Sequence, residues 1–272
     1  MSTLTVAALQ LPLGSPDEAE NIVAVSMLVE EAAAKGAQVV LPPELFSGPY
    51  FCKVEDEALF ALARPTADHP SVRAMQALAA KHRIAIPTSF FERDGHHYYN
   101  TLAWIDPDGQ IQGTYRKSHI PDGPGYEEKY YFRPGNDGFK VWDAFGHKVG
   151  VGICWDQWYP EGARLTAMQG AQVLFYPTAI GWHPAEKAEF GKAQVDAWQT
   201  IQRGHAIANG VYVAAVNRVG HEVTVGDGLE FFGNSFIADP FGRILAMGSS
   251  DKEEILTATI DPALIEQTRR NW

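Results

Sequence analysis

Apolar residues along this chain change period repeatedly, from short continuous or alternating runs to spacings of three and four. Leu4–Leu11 is a β-rich run, and Ser15-Pro16-Asp17-Glu18 after it reads as a capping box with proline at the first helical position. Ile22, Val25, Val29 and Ala32 then mark one face of a helix that stops at Gly36. The pattern predicts a strand over 38–41 that runs into Pro42-Pro43-Glu44, helices over 54–63 and 71–82, and strands over 84–91, 98–105 and 111–115. Asp106-Pro107-Asp108-Gly109 is the turn between the last two strands. A glycine- and proline-rich loop fills 119–138. Buried-type strands at 149–154 and 173–176 flank a helix over 160–169, and a long helix near 190–209 precedes strands at 211–216, 235–238 and 255–260. No repeat and no low-complexity linker interrupts the alternation. The expectation is a single α/β domain over 1–272, with mixed sheets covered by helices.

Composition narrows the function classes. The 33 acids against 22 bases, with no concentration of Lys or Arg, argue against nucleic acid as the main partner. No apolar run approaches the roughly 18 residues of a membrane span, and the opening MSTLTVAALQLP lacks a basic start, so it reads as a first strand, not a signal peptide. The two cysteines, Cys52 and Cys154, form no CxxC and have no Cys/His cluster beside them. A disulfide framework or structural zinc is therefore not expected, and a reducing cytosol is the natural setting. Neither GxGxxG nor GxxxxGK[ST] occurs, so nothing points to a nucleotide. No metal or organic cofactor is called for.

Three residues of chemical interest each end a strand-like run: Glu44 after QVVLPP, Lys117 after IQGTYR and Cys154 closing VGVGIC. Open α/β sheets gather their sites at such ends, so three distant residues can converge. Asp156 and Pro160 announce a turn into a helix behind Cys154. A helix dipole and a nearby lysine would lower the thiol pKa; alternatively, a carboxylate would take the thiol proton during attack. Each residue also has a bland reading. Cys154 can be a small buried hydrophobe, Glu44 a strand-end acid paired with arginine, and Lys117 part of an exposed basic turn. His119 reads as a hydrogen-bonded spacer.

The longer motifs go further. PPELFSGPYF, YRKSHIPDGPGYEEKYYFRPG and GICWDQWYPEGAR resemble the three signature regions of the nitrilase superfamily of carbon–nitrogen hydrolases, with FYPTAIG and FFGNSFIADPFG also in place. The resemblance implies a four-layer αββα sandwich and a triad of Glu44, Lys117 and Cys154. It implies a second glutamate lining the site, Glu128 by the better register, and it places Tyr50, Asp122, Trp155, Trp182 and His183 among the substrate-binding residues. CWDQW and RKSHIPDGPGYEEKYYF are most similar to the N-carbamoylputrescine amidohydrolase branch. That implies cleavage of the carbamoyl C–N bond of a small N-carbamoyl amine through a cysteine-bound intermediate, by a homodimer or larger homo-oligomer. Two features depart from the branch. Gly181-Trp182-His183-Pro184 stands where Gly-Ser-Glu-Pro is usual, which points to a shorter, less basic or aromatic tail unless Glu186 or Asp122 supplies the missing acid. The chain also stops at Trp272, short of the tail of similar proteins, which leaves assembly size open. A related amidase or carbamoylase is the main alternative. A nitrilase fits less well, because those carry Cys-Trp-Glu where Cys154-Trp155-Asp156 stands here.

Overall fold

The computed structural model describes residues 2–271. The chain opens with β1 (Leu4–Gln10), α1 (Glu18–Ala34) and β2 (Val39–Leu41), then α2 (Pro70–His82). A meander comes next: β3 (Ile86–Asp94), β4 (His97–Ile105) and β5 (Ile111–Arg116). After the short α3 (Glu128–Tyr131) come β6 (Val141–Ala144), β7 (His147–Val151), α4 (Pro160–Met168) and β8 (Val173–Pro177). Next are β9 (Gly181–Trp182), the long α5 (Pro184–Asn209) and β10 (Tyr212–Val216). The chain closes with β11 (Val219–Glu222), β12 (Leu229–Phe232), β13 (Phe236–Ala238), β14 (Ile244–Met247), β15 (Glu254–Ile260) and α6 (Pro262–Asn271).

One layer holds β15-β1-β2, with β2 bridged through Val39 and Ala85 to the entry of β3-β4-β5. The facing layer is the mixed sheet β14-β13-β10-β8-β7-β6. Strand alternation assigns the faces. Val6 and Ala8 of β1 join Val149, Val173 and Phe175 in the core between the sheets, while Ala7 and Leu9 turn to Val25, Val29 and Met75 of α1 and α2. On the other side, Leu174 and Tyr176 of β8 meet Trp198 and Ala206 of α5. The result is helix, sheet, sheet, helix. Each large apolar side chain buried here, such as Phe175, contributes about 2 kcal/mol from area removed from water. No helix among the described residues is long and apolar enough to cross a membrane.

Three local expectations are corrected. The cap of α1 is Asp17, whose carboxylate accepts from the Ala19 N–H at 2.9 Å; Ser15 instead bonds Glu20 at 2.6 Å. The helix expected over 54–63 is a 3₁₀ segment, Glu57–Leu62, preceded by a separate 3₁₀ turn, Phe51–Lys53; Phe51 and Phe60 anchor separately on the aromatic cluster of Phe91 and Tyr131. The strand ending in Cys154 stops earlier, at Val151, and Cys154 opens a 3₁₀ turn, Cys154–Trp158.

Candidate active site

Each of the three strand-end residues is fixed by its own local device. Pro42 and Pro43 offer no N–H and stop β2, and Leu45 next to Glu44 takes a left-handed φ of 47°. The fully buried guanidinium of Arg218 holds that turn, donating to the carbonyls of Glu44 at 2.7 Å and Leu45 at 3.1 Å. Glu222 pairs with Arg218 at 2.9 Å and accepts the Tyr50 N–H at 2.6 Å. Lys117, one residue beyond β5, donates its N–H to Asn100 O at 2.9 Å and accepts from Gly135 N–H at 2.8 Å. Gly135 is required there, because a β-carbon would come within 2.2 Å of Arg116 O. Cys154 has a φ of 43°, a strained geometry for a residue with a side chain. Asp156 stabilises it: its carboxylate accepts from the Ile153 N–H at 2.9 Å and the Tyr115 hydroxyl at 2.7 Å. The same carboxylate holds the His119 N–H at 3.0 Å and ring Nδ1 at 2.7 Å. Asp156 thus ties the Cys154 turn to the segment just after Lys117. His119, stacked on Tyr159 at 3.7 Å, is a spacer.

These devices bring Glu44, Lys117 and Glu128 into one dry cluster. The Lys117 ammonium, with no exposed surface, lies 2.9 Å from Glu44 Oε1 and 2.6 Å from Glu128 Oε2. Asn100 donates a second bond to Glu44 Oε1 at 2.7 Å, and the Tyr50 hydroxyl donates to Glu128 Oε1 at 2.8 Å. Glu44 Oε2 is buried with no partner. One oxygen of that carboxylate is therefore saturated, and the other is free to accept a proton. Burial works against the charge on Lys117, but the Glu128 and Glu44 carboxylates hold its pKa well above the ordinary lysine value. Burial, then repulsion from Glu44, pushes the Cys154 thiol well up, with Lys117 opposing. Of the two readings of the thiol, the dipole-lowered one is disfavoured, because the nearest helical turn is a short 3₁₀ segment and desolvation wins, while the reading in which a carboxylate takes the proton is favoured. The resting sulfur is protonated and needs a base.

Burial and the Glu44 charge push Glu128 up to about 7, although Lys117 and Tyr50 draw it down. A carboxyl whose native pKa is raised adds stability that is fully present below its ordinary value near 4.5 and lost as pH rises through about 7. Glu128→Gln removes that loss. Its Tm relative to the native protein should therefore climb between pH 5 and 8, while kcat/KM falls about a hundredfold as Lys117 loses a counter-charge. Thermal melts across this pH range with parallel rate assays check both; a flat Tm difference would contradict the assignment.

A cavity of about 570 Å³ is lined by the buried Cys154 and Glu128 and by the partly exposed Trp155, Trp158, Tyr126 and His183. As second residue of its 3₁₀ turn, Trp155 has an N–H of the kind helical turns leave without an internal partner. Tyr50 meets the site from behind, through its hydroxyl on Glu128 and its ring 5.7 Å from that of Tyr126. Trp182 does not wall the tail pocket as expected: its indole donates to Gly191 O at 3.1 Å and packs on Phe232 in the core under α5. Asp122 is also displaced from the expected role, being half-exposed and paired with Lys129 at 3.6 Å. Asn100 and Arg218 were not singled out from the sequence, and Asp156 only as a turn residue. Among the described residues, no group of three or more His, Cys, Asp or Glu is arranged to hold a metal ion.

A buried thiol beside a carboxylate–ammonium–carboxylate cluster at the rim of an αββα sandwich defines the class of cysteine-dependent hydrolases that act at carbonyl-like carbon. The carbon–nitrogen hydrolase family model matches residues 5–270, and the chain belongs to that family. It is 46% identical to an N-carbamoylputrescine amidase of Arabidopsis thaliana over 99% of this chain and 90% of that protein. It is 47% identical to a citrullinase of Francisella tularensis over 100% of this chain and 94% of that protein. Among solved structures, a carbon–nitrogen hydrolase from Helicobacter pylori G27 superposes with a TM-score of 0.94 at 40% identity, covering 100% of this chain and 94% of that one.

Proposed function

We propose that the protein is an amidohydrolase that cleaves the carbamoyl C–N bond of an N-carbamoyl amine, with N-carbamoylputrescine as the reference substrate. The observation that carries this reading is the free Oε2 of Glu44, the proton acceptor that a protonated buried thiol requires. Cys154 Sγ attacks the ureido carbonyl carbon while Glu44 takes the thiol proton. Lys117 and the Trp155 N–H hold the oxyanion, donors of a kind worth about 3 kcal/mol each to a barrier. The tetrahedral adduct collapses, the C–N bond to the terminal nitrogen breaks, and Glu44 returns the proton so that ammonia leaves. Water, giving a proton to Glu44, then attacks the same carbon; the S–C bond breaks and Glu44 returns the proton to the departing sulfur. The carbamate released decomposes to amine and carbon dioxide. Glu128 keeps the Lys117 ammonium charged and in place throughout.

Two relatives at 46–47% identity, an N-carbamoylputrescine amidase and a citrullinase, are named for substrates that share a ureido group, which supports a ureido carbon as the point of attack. Ammonia release should be compared for N-carbamoylputrescine, an aliphatic primary amide and an aliphatic nitrile. The ureido substrate is expected to exceed the other two in kcat/KM by about a hundredfold. Faster turnover of the nitrile or of the plain amide would overturn the proposal.

A further inference from the structure

A second cavity, of about 590 Å³, shares no lining residue with the one at Cys154 and falls within the ordinary size range of small-molecule sites. Leu45 and Gly48, from the turn that follows Glu44, form part of its wall. That wall is preformed. The fully buried Arg218 donates to the carbonyls of Leu45 at 3.1 Å and Gly48 at 3.0 Å. Glu222, itself a lining residue, holds Arg218 at 2.9 Å and the Tyr50 N–H at 2.6 Å. Phe51, Leu59 and Phe91 give the cavity an apolar surface.

The charge on this lining has one sign. Glu18, Asp56 and Glu222 contribute carboxylates, and no lysine or arginine is among the described residues that line the cavity. Glu222 is spent on Arg218 and Tyr50, and Asp56 uses one oxygen to cap Ala58 at 2.9 Å, which leaves its other oxygen and the Glu18 carboxylate for a ligand. Burial raises the Glu18 pKa, with Arg64 pulling against it, while the Arg64 guanidinium donates to the carbonyls of Ala61 and Ala63. An apolar-walled cleft lined by one sign of charge concentrates the field and draws in the opposite ion. His69 is an independent indication of a ligand. It lines the same cavity and is only 1% exposed. The Ser71 hydroxyl lies 2.7 Å from its Nδ1, and among the described residues no group hydrogen-bonds its Nε2. Burial lowers the His69 pKa to about 4, so the ring is uncharged at neutral pH and does not repel a cation. With the Nδ1 proton given to Ser71, Nε2 is an acceptor.

We infer that this cavity is a second ligand site, separate from the catalytic one, for a primary ammonium ion carried on a short alkyl chain. The ammonium is taken by Glu18, Asp56 and His69, and the chain lies along Phe51, Leu59 and Phe91. A neutral alkyl ligand leaves the carboxylates unanswered, and an alkyl carboxylate is repelled by them.

The test is calorimetric titration of the native protein with n-hexylammonium, n-hexanol and n-hexanoate, which share the chain and differ in the head. Hexylammonium should bind about tenfold more tightly than hexanol, or better, and hexanoate more weakly than either. Glu18→Gln should weaken hexylammonium about tenfold and leave hexanol unchanged. Asp56→Asn, whose side-chain oxygen can still cap Ala58, should weaken it in the same direction. Thermal melts without ligand check that both variants are folded. Hexanol binding as tightly as hexylammonium, or no binding of hexylammonium, overturns the assignment. Hexylammonium binding that neither folded variant weakens overturns it too, by placing the ammonium outside this cavity.

Discussion

Cys154→Ala is expected to lower ammonia release by about 10⁴-fold or more while leaving the fold intact. The size of the effect reflects the absence of any substitute nucleophile. The second cysteine, Cys52, is fully buried, and burial, followed by the Glu128 charge, pushes its thiol well up. Stability should change by only about 1 kcal/mol, because the variant removes one buried sulfur atom whose hydrogen bond to Ala179 O is long, at 4.0 Å. Alanine also tolerates the left-handed turn no worse than cysteine does. The check is a single-turnover ammonia assay beside a thermal melt. Retained turnover in a folded Cys154→Ala protein would exclude this sulfur as the nucleophile.

Glu44→Gln should be nearly as damaging, with kcat down about 10³-fold. The substitution is chosen to preserve structure: the amide oxygen still accepts from Asn100 and Lys117 at the place of Oε1, and Arg218 still clamps the backbone carbonyl. What disappears is the unpartnered Oε2, replaced by an NH₂ that cannot accept a proton. Loss of rate without loss of KM-level binding is therefore the signature, since the missing interaction belongs to proton transfer and not to the substrate ground state. A matching rise in KM with unchanged kcat would assign Glu44 to binding instead.

How much of this was visible in the sequence depends on the range over which each feature is determined. Glu44, Lys117 and Cys154 stood out because each closes an apolar run whose period marks a strand, and strand ends share one edge of a sheet. Glu128 came from its motif, and it does meet Lys117 at 2.6 Å. Asn100 was hidden inside the apolar text of β4; a polar residue at a buried strand position was the available clue. Arg218 acts on a partner far away in sequence, at Glu44, so no local pattern exposes it; Asp156 was legible as a turn residue, but its bond to the distant His119 was not. Trp182 shows the same limit. It belongs to a two-residue strand whose face is set by pairing Gly181 with Phe231 and Trp182 with Glu230, a register that only the distant β12 decides. The start of α5 was placed late because Pro184-Ala185-Glu186-Lys187 carries little apolar signal, although proline at the first helical position was a legible start.

The thiol's behaviour was the least legible of all. A sequence shows a lysine and a coming helix and suggests a lowered pKa; the fold buries the sulfur beside a carboxylate and raises it. This reversal is what makes Glu44 necessary to the chemistry.

The most direct test is an acid-quenched single turnover of the native protein with N-carbamoylputrescine, read by intact mass and peptide mapping. A covalent increment on Cys154, equal to the substrate less ammonia and formed in the same phase as ammonia release, is the predicted result. A stoichiometric burst of ammonia with Cys154 unmodified throughout would contradict it.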